Sequence, residues 1–254
     1  MNIVFLGAGN VATHLSVAIK GIGHNILQVF SRTEESAANL AAKLSCGYTC
    51  DYANILKDAD IYIVSLSDQV LCDVADKINS INAAALWVHT SGSMPLDTFK
   101  CERRGVLYPL QTFSKRRILD VSDVPFFLEA NNADDMDRLK EIAESLSKKA
   151  YVIDSEKRKY LHLSAVFCCN FVNYCCSMAD KILSEHDIPF EVMQPLITET
   201  VNKLGELSPF DAQTGPAVRY DTNVIDKHLA MLDNDKEMQK IYKIMSEGIH
   251  KCHS

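Results

Sequence analysis

Two glycines near the start of the chain give its clearest chemical signal, because what they offer a ligand is bare backbone. The apolar run Ile3-Val4-Phe5-Leu6 leads into Gly7-Ala8-Gly9-Asn10-Val11-Ala12, and a helical pattern follows from Thr13 to Lys20. A buried strand, a tight turn and a helix N-terminus in that order can hold a pyrophosphate. Gly7 permits the turn, Gly9 lets backbone N–H groups approach the phosphates, and Ala12 lets the helix pack close to the strand. Ala8, Asn10 and Val11 complete this expected cofactor loop; a plain glycine-rich turn is the alternative. At the end of the second strand pattern stands Ser31-Arg32-Thr33, where an NAD protein carries a ribose-binding acid. A hydroxyl–Arg–hydroxyl set suits a 2′-phosphate, so NADP is the expected cofactor. Ser31-x-x-Glu34 also fits a capping box, and Glu34 and Glu35 oppose an anion nearby.

Other candidates fall at the carboxyl ends of later strands, the edge on which open α/β sheets bind ligands. Ser65-Leu66-Ser67 is expected beside the cofactor, with Asp68 as a helix cap. His89-Thr90-Ser91-Gly92-Ser93 ends the next strand. His89 is the candidate acid or polariser of a reacting group, against the alternative of a buried His that satisfies a backbone carbonyl. Thr90 adds a cofactor contact, while Ser91 and Gly92 offer a hydroxyl and an open N–H to nicotinamide or substrate. Gln111, in Tyr108-Pro109-Leu110-Gln111-Thr112-Phe113, is a candidate substrate contact. In the second half, Asn170 and Asn173 interrupt a helix that is apolar nearly all round. Asn170 facing the cofactor cleft is the functional reading, and an internal amide pair is the alternative. Arg219 could clamp a carboxylate or form a surface salt bridge. No metal is expected. The pairs Cys168-Cys169 and Cys175-Cys176 lack the helical spacing of chelating ligands, and His250-x-Cys252-His253 lies on a terminal tail.

Elements that could position these groups alternate through the first half. Strand patterns at 3–6, 26–30, near 49, 61–66, 86–89, 105–108, 126–129 and 151–153 predict an eight-strand sheet. Helices are predicted at 34–44, 51–57, 70–78, 95–103 and 134–147. From Ser155 onward the period is helical only, with helices over 160–183 and 189–207 and another capped by Asp221. The expected organisation is therefore a doubly wound parallel sheet of Rossmann type over residues 1–154, then an all-α domain over 155–254. The 254 residues are 47% hydrophobic and 23% charged, with a formal charge of −7, which argues against a nucleic-acid surface. The chain opens on a core strand, so no signal peptide is read, and the nine Cys fit free cytoplasmic thiols. The helix at 160–183 is too interrupted for a membrane span, and its apolar circumference predicts a homodimer through the C-terminal helices.

These motifs resemble a family of Rossmann-like NADP oxidoreductases whose helical C-terminal domain has no assigned function. The match rests on Gly7 to Ala12, His89 to Gly92, Tyr108 to Phe113, Asn170, and Thr214-Gly215-Pro216 with Arg219, Asp221 and His228. More distantly the chain is similar to pyrroline-5-carboxylate reductases, deazaflavin-dependent NADP reductases and 6-phosphogluconate dehydrogenase-like enzymes, which implies a helical domain packed against a second subunit. It departs from hydroxyacid dehydrogenases, whose lysine would stand at Val166, four residues before Asn170. The expected activity is hydride exchange with the carbonyl or imine carbon of a small, anionic substrate. His89 would be the proton donor, Asn170 a hydrogen-bond partner and Arg219 the anion clamp. A non-catalytic NADP-binding sensor and a nucleotide-dependent methyltransferase are the rival readings.

Overall fold

The computed structural model describes residues 1–254, the side chain of Asn79 excepted. Alternation along the central strands sets the architecture. Ile3 and Phe5 of β1 (Asn2–Leu6) lie in one apolar cluster and Val4 and Leu6 in another. The same split divides Ile61 and Ile63 from Tyr62 and Val64 in β4 (Ile61–Val64), and Leu86 and Val88 from Trp87 in β5 (Leu86–His89). Side chains alternate across a strand, so a strand that is apolar at every position needs a core on both faces. Helices supply both. The first cluster takes in α1 (Asn10–Gly21), α2 (Glu34–Leu44) and, further along, the helix Ala133–Leu146; the second takes in α3 (Asp68–Ala75) and α4 (Ile78–Ile81).

With β2 (Asn25–Phe30), β3 (Gly47–Thr49), β6 (Arg104–Pro109), β7 (Phe126–Ala130) and β8 (Ala150–Val152), the sheet has eight strands. Their order is β3-β2-β1-β4-β5-β6-β7-β8. The strand order turns back at β1 and β4, where such sheets bind ligands. All eight expected strands are present, and the Rossmann-type expectation holds with one amendment. β6 and β7 pair antiparallel, Tyr108 opposite Phe127. A parallel pair needs a crossover, usually a helix, and the link between these strands has none.

Three expected helices are shorter or absent. Residues 95–103 hold only a 3-10 turn, Leu96–Thr98. Phe99 is fully buried in an extended conformation, edge-on to Trp87 at 6.3 Å, and that burial outweighs helix propensity. Residues 51–57 form the 3-10 turn Tyr52–Asn54, and the helix expected over 70–78 divides into α3 and α4.

After α5 (Ala133–Leu146) and β8, the helix α6 (Ser155–Ala165) continues through a π-helical segment, Val166–Phe171, into α7 (Val172–Ser184). The whole stretch Ser155–Ser184 is long and apolar enough to cross a membrane by length and composition alone, with mean hydropathy 1.2. The last strand ends just before Asp154, but the chain divides into compact units within this helix, Met1–Asn170 and Phe171–Ser254. The second unit continues with α8 (Gln194–Lys203), α9 (Pro209–Ala212), α10 (Thr222–Met231) and α11 (Lys236–His253). Side chains of Ser208, Asp221 and Asp235 cap the last three. Among the described residues its only buried apolar side chains are Ala217, Ile225 and Met238.

Candidate active site

The glycine turn is built for close approach. Gly7 sits at φ +120°, and a Cβ there would lie 2.2 Å from the Ser65 carbonyl oxygen, so only glycine fits. A Cβ on Gly9 would meet no protein atom within 4 Å; it would project into open space. The first intrahelical bond of α1 runs from Thr13 N–H to Gly9 O (3.0 Å), which leaves the N–H groups of Asn10, Val11 and Ala12 without helical acceptors. No acid stands in that first turn. These features fit a pyrophosphate. Ala8 is buried beside the turn, and Thr90 Oγ1 donates to Ser65 Oγ (3.0 Å), joining the ends of β4 and β5 along the same edge.

At the end of β2, Thr33 occupies the cap position of α2 without a side-chain cap bond, so the capping-box alternative for Ser31 fails. Among the described residues, the side chains of Ser31, Arg32 and Thr33 form no hydrogen bond or ion pair, and Arg32 acts on the nearby Tyr52 hydroxyl only through its charge. Ser67, not Asp68, holds the cap position of α3. Asp68 instead accepts hydrogen bonds from Ser91 Oγ (2.8 Å) and Ser93 Oγ.

His89 does not stand where a catalytic acid must. It is fully buried, its Nε2 pairs with Pro95 O (3.2 Å), and its Nδ1 accepts from Ser91 N–H (3.3 Å). Burial, reinforced by the Arg158 cation, lowers its pKa to about 4. The ring edges onto Phe99 at 5.6 Å. An imidazole with both nitrogens spent on backbone has no proton to offer a ligand, so the expected catalytic role is withdrawn. Ser91 is spent too: besides donating to Asp68, its hydroxyl accepts from Ser93 and Met94 N–H (both 3.2 Å).

A cavity of about 400 Å³ opens nearby, within the first unit, and Asn170 lines it. So does Gln111, whose Oε1 accepts from Thr112 N–H (2.8 Å) and whose amide nitrogen is free for a ligand. Leu110, Leu161, Ala165 and Val166 make much of the wall apolar. Its titratable centre is a pair that sequence reasoning passed over. Tyr108 Oη and His162 Nδ1 are 3.0 Å apart, one from the end of β6 and one from α6. Burial is the main cause that pushes the Tyr108 hydroxyl up to about 12, so it keeps its proton at neutral pH. Gly92 explains how the two rings meet. A Cβ there would lie 2.7 Å from Tyr108 Cζ and 2.8 Å from His162 Cγ and Nδ1. Its role is therefore steric, where an open N–H for the substrate was expected.

Four of the six residues of the π-helical segment, Val166, Cys168, Cys169 and Asn170, line the cavity. Such widened turns recur at functional sites. One turn before His162, Arg158 is 1% exposed. It pairs with Glu129 of β7 and donates to Met94 O (2.6 Å) and Ser155 Oγ (3.1 Å), fixing α6 to the sheet. Arg219 belongs to the second unit, where it is exposed and has no ion-pair partner among the described residues. All nine cysteines are free thiols.

A dinucleotide cradle on a Rossmann-type sheet, beside a cavity with a phenol–imidazole pair, defines an oxidoreductase architecture. Comparisons with known proteins agree. Residues 2–91 match the family model "NADP oxidoreductase coenzyme F420-dependent", and residues 124–249 match a "domain of unknown function", DUF2520. A crystal structure described as a putative NADP oxidoreductase from Bacteroides fragilis is 47% identical, covers 98% of both chains and superposes with a TM-score of 0.95. The chain belongs to this NADP oxidoreductase family. A Thermotoga maritima protein shares the fold at 24% identity over 99% of both chains (TM-score 0.81). A Plasmodium falciparum pyrroline carboxylate reductase, solved with NADP bound, shares it at 13% identity (TM-score 0.62). That match covers 100% of this chain and 98% of the other. No curated protein sequence matches the chain.

Proposed function

We propose that this oxidoreductase uses NADP to reduce the carbonyl or imine carbon of a small substrate held in the cavity of Tyr108, His162, Gln111 and Asn170. The carrying observation is the 3.0 Å Tyr108–His162 pair on the cavity wall. When bound, the nicotinamide supplies or accepts the hydride. The protein must then give a proton to the oxygen or nitrogen next to the reduced carbon. With Nδ1 protonated, His162 donates to the Tyr108 oxygen and leaves the phenol hydrogen free for that atom; it then passes the Nδ1 proton to the phenolate while Nε2 takes up a proton from solvent. Asn170 and the free Gln111 amide orient the reacting group.

Ser31, Arg32 and Thr33, whose side chains form no hydrogen bond or ion pair among the described residues, support NADP over NAD, since a 2′-phosphate gives all three a use. Calorimetric titration tests this: NADPH binds more tightly than NADH, and Arg32→Ala abolishes the preference. Equal wild-type affinities would overturn the assignment. The cavity lining holds no Lys or Arg, and Arg219 is the residue proposed as the clamp of an anionic substrate. In that case Arg219→Ala raises KM for a 2-oxo acid or a carboxylated cyclic imine and leaves a neutral imine unaffected.

The second unit also supports a homodimer. Tyr174, Leu196, Val201, Leu204 and Met231 are each at least half exposed on helices that hold little core of their own. A second copy of the chain is the occupant proposed for that surface. The nine free thiols support a cytoplasmic location.

A further inference from the structure

Three consecutive cations in the β6–β7 connection have no part in this chemistry. Lys115, Arg116 and Arg117 are exposed and, among the described residues, form no ion pair. The chain turns tightly through them. Arg117 N–H donates to Ser114 O (3.0 Å), and the two residues form an isolated antiparallel bridge, so Lys115 and Arg116 stand at the tip.

That tip is fastened to the cofactor loop by its backbone. Lys115 N–H donates to Asn10 Oδ1 (3.2 Å). His14, buried on α1, pairs through Nε2 with Arg117 O (3.1 Å) and through Nδ1 with Asn10 O (2.9 Å). Its ring packs on Phe113 at 4.6 Å. With the backbone held in this way, the side chains of the tip remain available.

Lys115 lines a small cavity, about 40 Å³, between the glycine turn and α2. Ala8 and Thr13 form one wall, and Ser36, Asn39 and Lys43, on one face of α2, form another. Its lining combines Lys43, Lys115, Ser36, Thr13 and Asn39 with the apolar Ala8 and Leu40, and it contains no carboxylate. This is the donor set of a phosphate site. The space is small and open to solvent, and it suits a compact anion such as a phosphate group.

We infer that the Lys115–Arg117 turn is a cationic clamp on a phosphate group of the bound dinucleotide, with Lys115 and Lys43 as its ligands. The inference rests on the dinucleotide reading of the glycine turn. It adds a contact from a segment about a hundred residues away in sequence, through a loop that depends on the antiparallel β6–β7 pairing.

Calorimetric titration of NADPH and of NADH into the full-length wild type and the variants Lys115→Ala, Lys43→Ala and Lys115→Arg tests it. Lys115→Ala is expected to weaken NADPH binding roughly tenfold, and Lys115→Arg to retain most of the affinity. The difference between wild type and Lys115→Ala should shrink at high salt. A loss confined to NADPH assigns the clamp to the 2′-phosphate; an equal loss for NADH assigns it to the pyrophosphate. The tethers at Lys115 and Arg117 are backbone groups, so the substitutions leave the turn in place, and a thermal melt of each variant verifies this. Unchanged affinities for both dinucleotides in Lys115→Ala and Lys43→Ala would overturn the clamp alone. A wild type that binds neither dinucleotide would overturn the clamp together with the cofactor reading.

Discussion

Both ring nitrogens of His89 are engaged by backbone, and a second proton would set an N–H against the N–H of Ser91. With a pKa near 4 folded against 6.5 in an ordinary setting, this ring binds a proton between those values only when the chain unfolds. The unfolded state is therefore favoured as pH falls. His89 leaves stability unchanged above pH about 6.5 and removes on the order of 3 kcal/mol by pH about 4. Urea unfolding across that range should show the loss, and His89→Gln should flatten it. Equal slopes for the two proteins would place the acid sensitivity elsewhere. For Tyr108, removal of the hydroxyl in Tyr108→Phe should lower kcat by roughly 10²–10⁴ with dinucleotide affinity unchanged. Gly92→Ala should mimic it by forcing the two rings apart, with an overpacking cost of about 1–3 kcal/mol in the urea midpoint. A Gly92→Ala enzyme with full turnover would mean that the pair is not needed. Asn170 and Gln111 were legible in the sequence because a polar residue in an apolar run or at a strand end asks for a partner. Tyr108 and His162 were not, because they meet only through a glycine's missing Cβ, and no spacing rule records that.

At the scale of elements, the two glycines of the β1–α1 turn make opposite predictions. Gly7→Ala places a Cβ on the Ser65 carbonyl at a positive φ and should destabilise the fold by more than about 2 kcal/mol. Gly9→Ala meets nothing in the protein and should melt like the wild type, yet bind neither NADPH nor NADH measurably. A Gly9→Ala protein with normal affinity would deny that the dinucleotide crosses this turn. The central strands β1, β4 and β5 were readable because each carries an apolar run, while β2 is interrupted by Gln28 and the short β3 was legible only from its place in the strand–helix alternation. The missing helix at 95–103 was not, because Phe99 owes its extended conformation to a core built by Trp87 and its neighbours. The antiparallel β6–β7 pair follows from a connection without a crossover helix, which composition alone does not reveal. The π-helical turn also left no trace in the hydrophobic pattern, since that pattern is apolar on all sides there.

For the whole molecule, the apolar surface of the second unit leads to a direct measurement. Sedimentation at micromolar concentration should give about twice the 28.3 kDa chain mass. The double variant Leu196→Glu/Val201→Glu should shift the protein to a monomer. A wild-type monomer, or one that partitions onto phospholipid vesicles through Ser155–Ser184, would remove the dimer proposal. The sheet order β3-β2-β1-β4-β5-β6-β7-β8 has one more consequence, for synthesis. β1 lies among the inner strands, and both its neighbours, β2 and β4, are translated soon after it. The glycine turn, the end of β2 and the ends of β4 and β5 all lie within residues 2–91. The cavity, by contrast, needs His162 and Asn170. At roughly 5–20 residues per second, a ribosome exposes the glycine turn and these strand ends several seconds before the segment that carries His162 and Asn170. Because α1 shares its core with Leu107, Phe126 and Leu139, the glycine turn is held in place only once that later segment has also emerged.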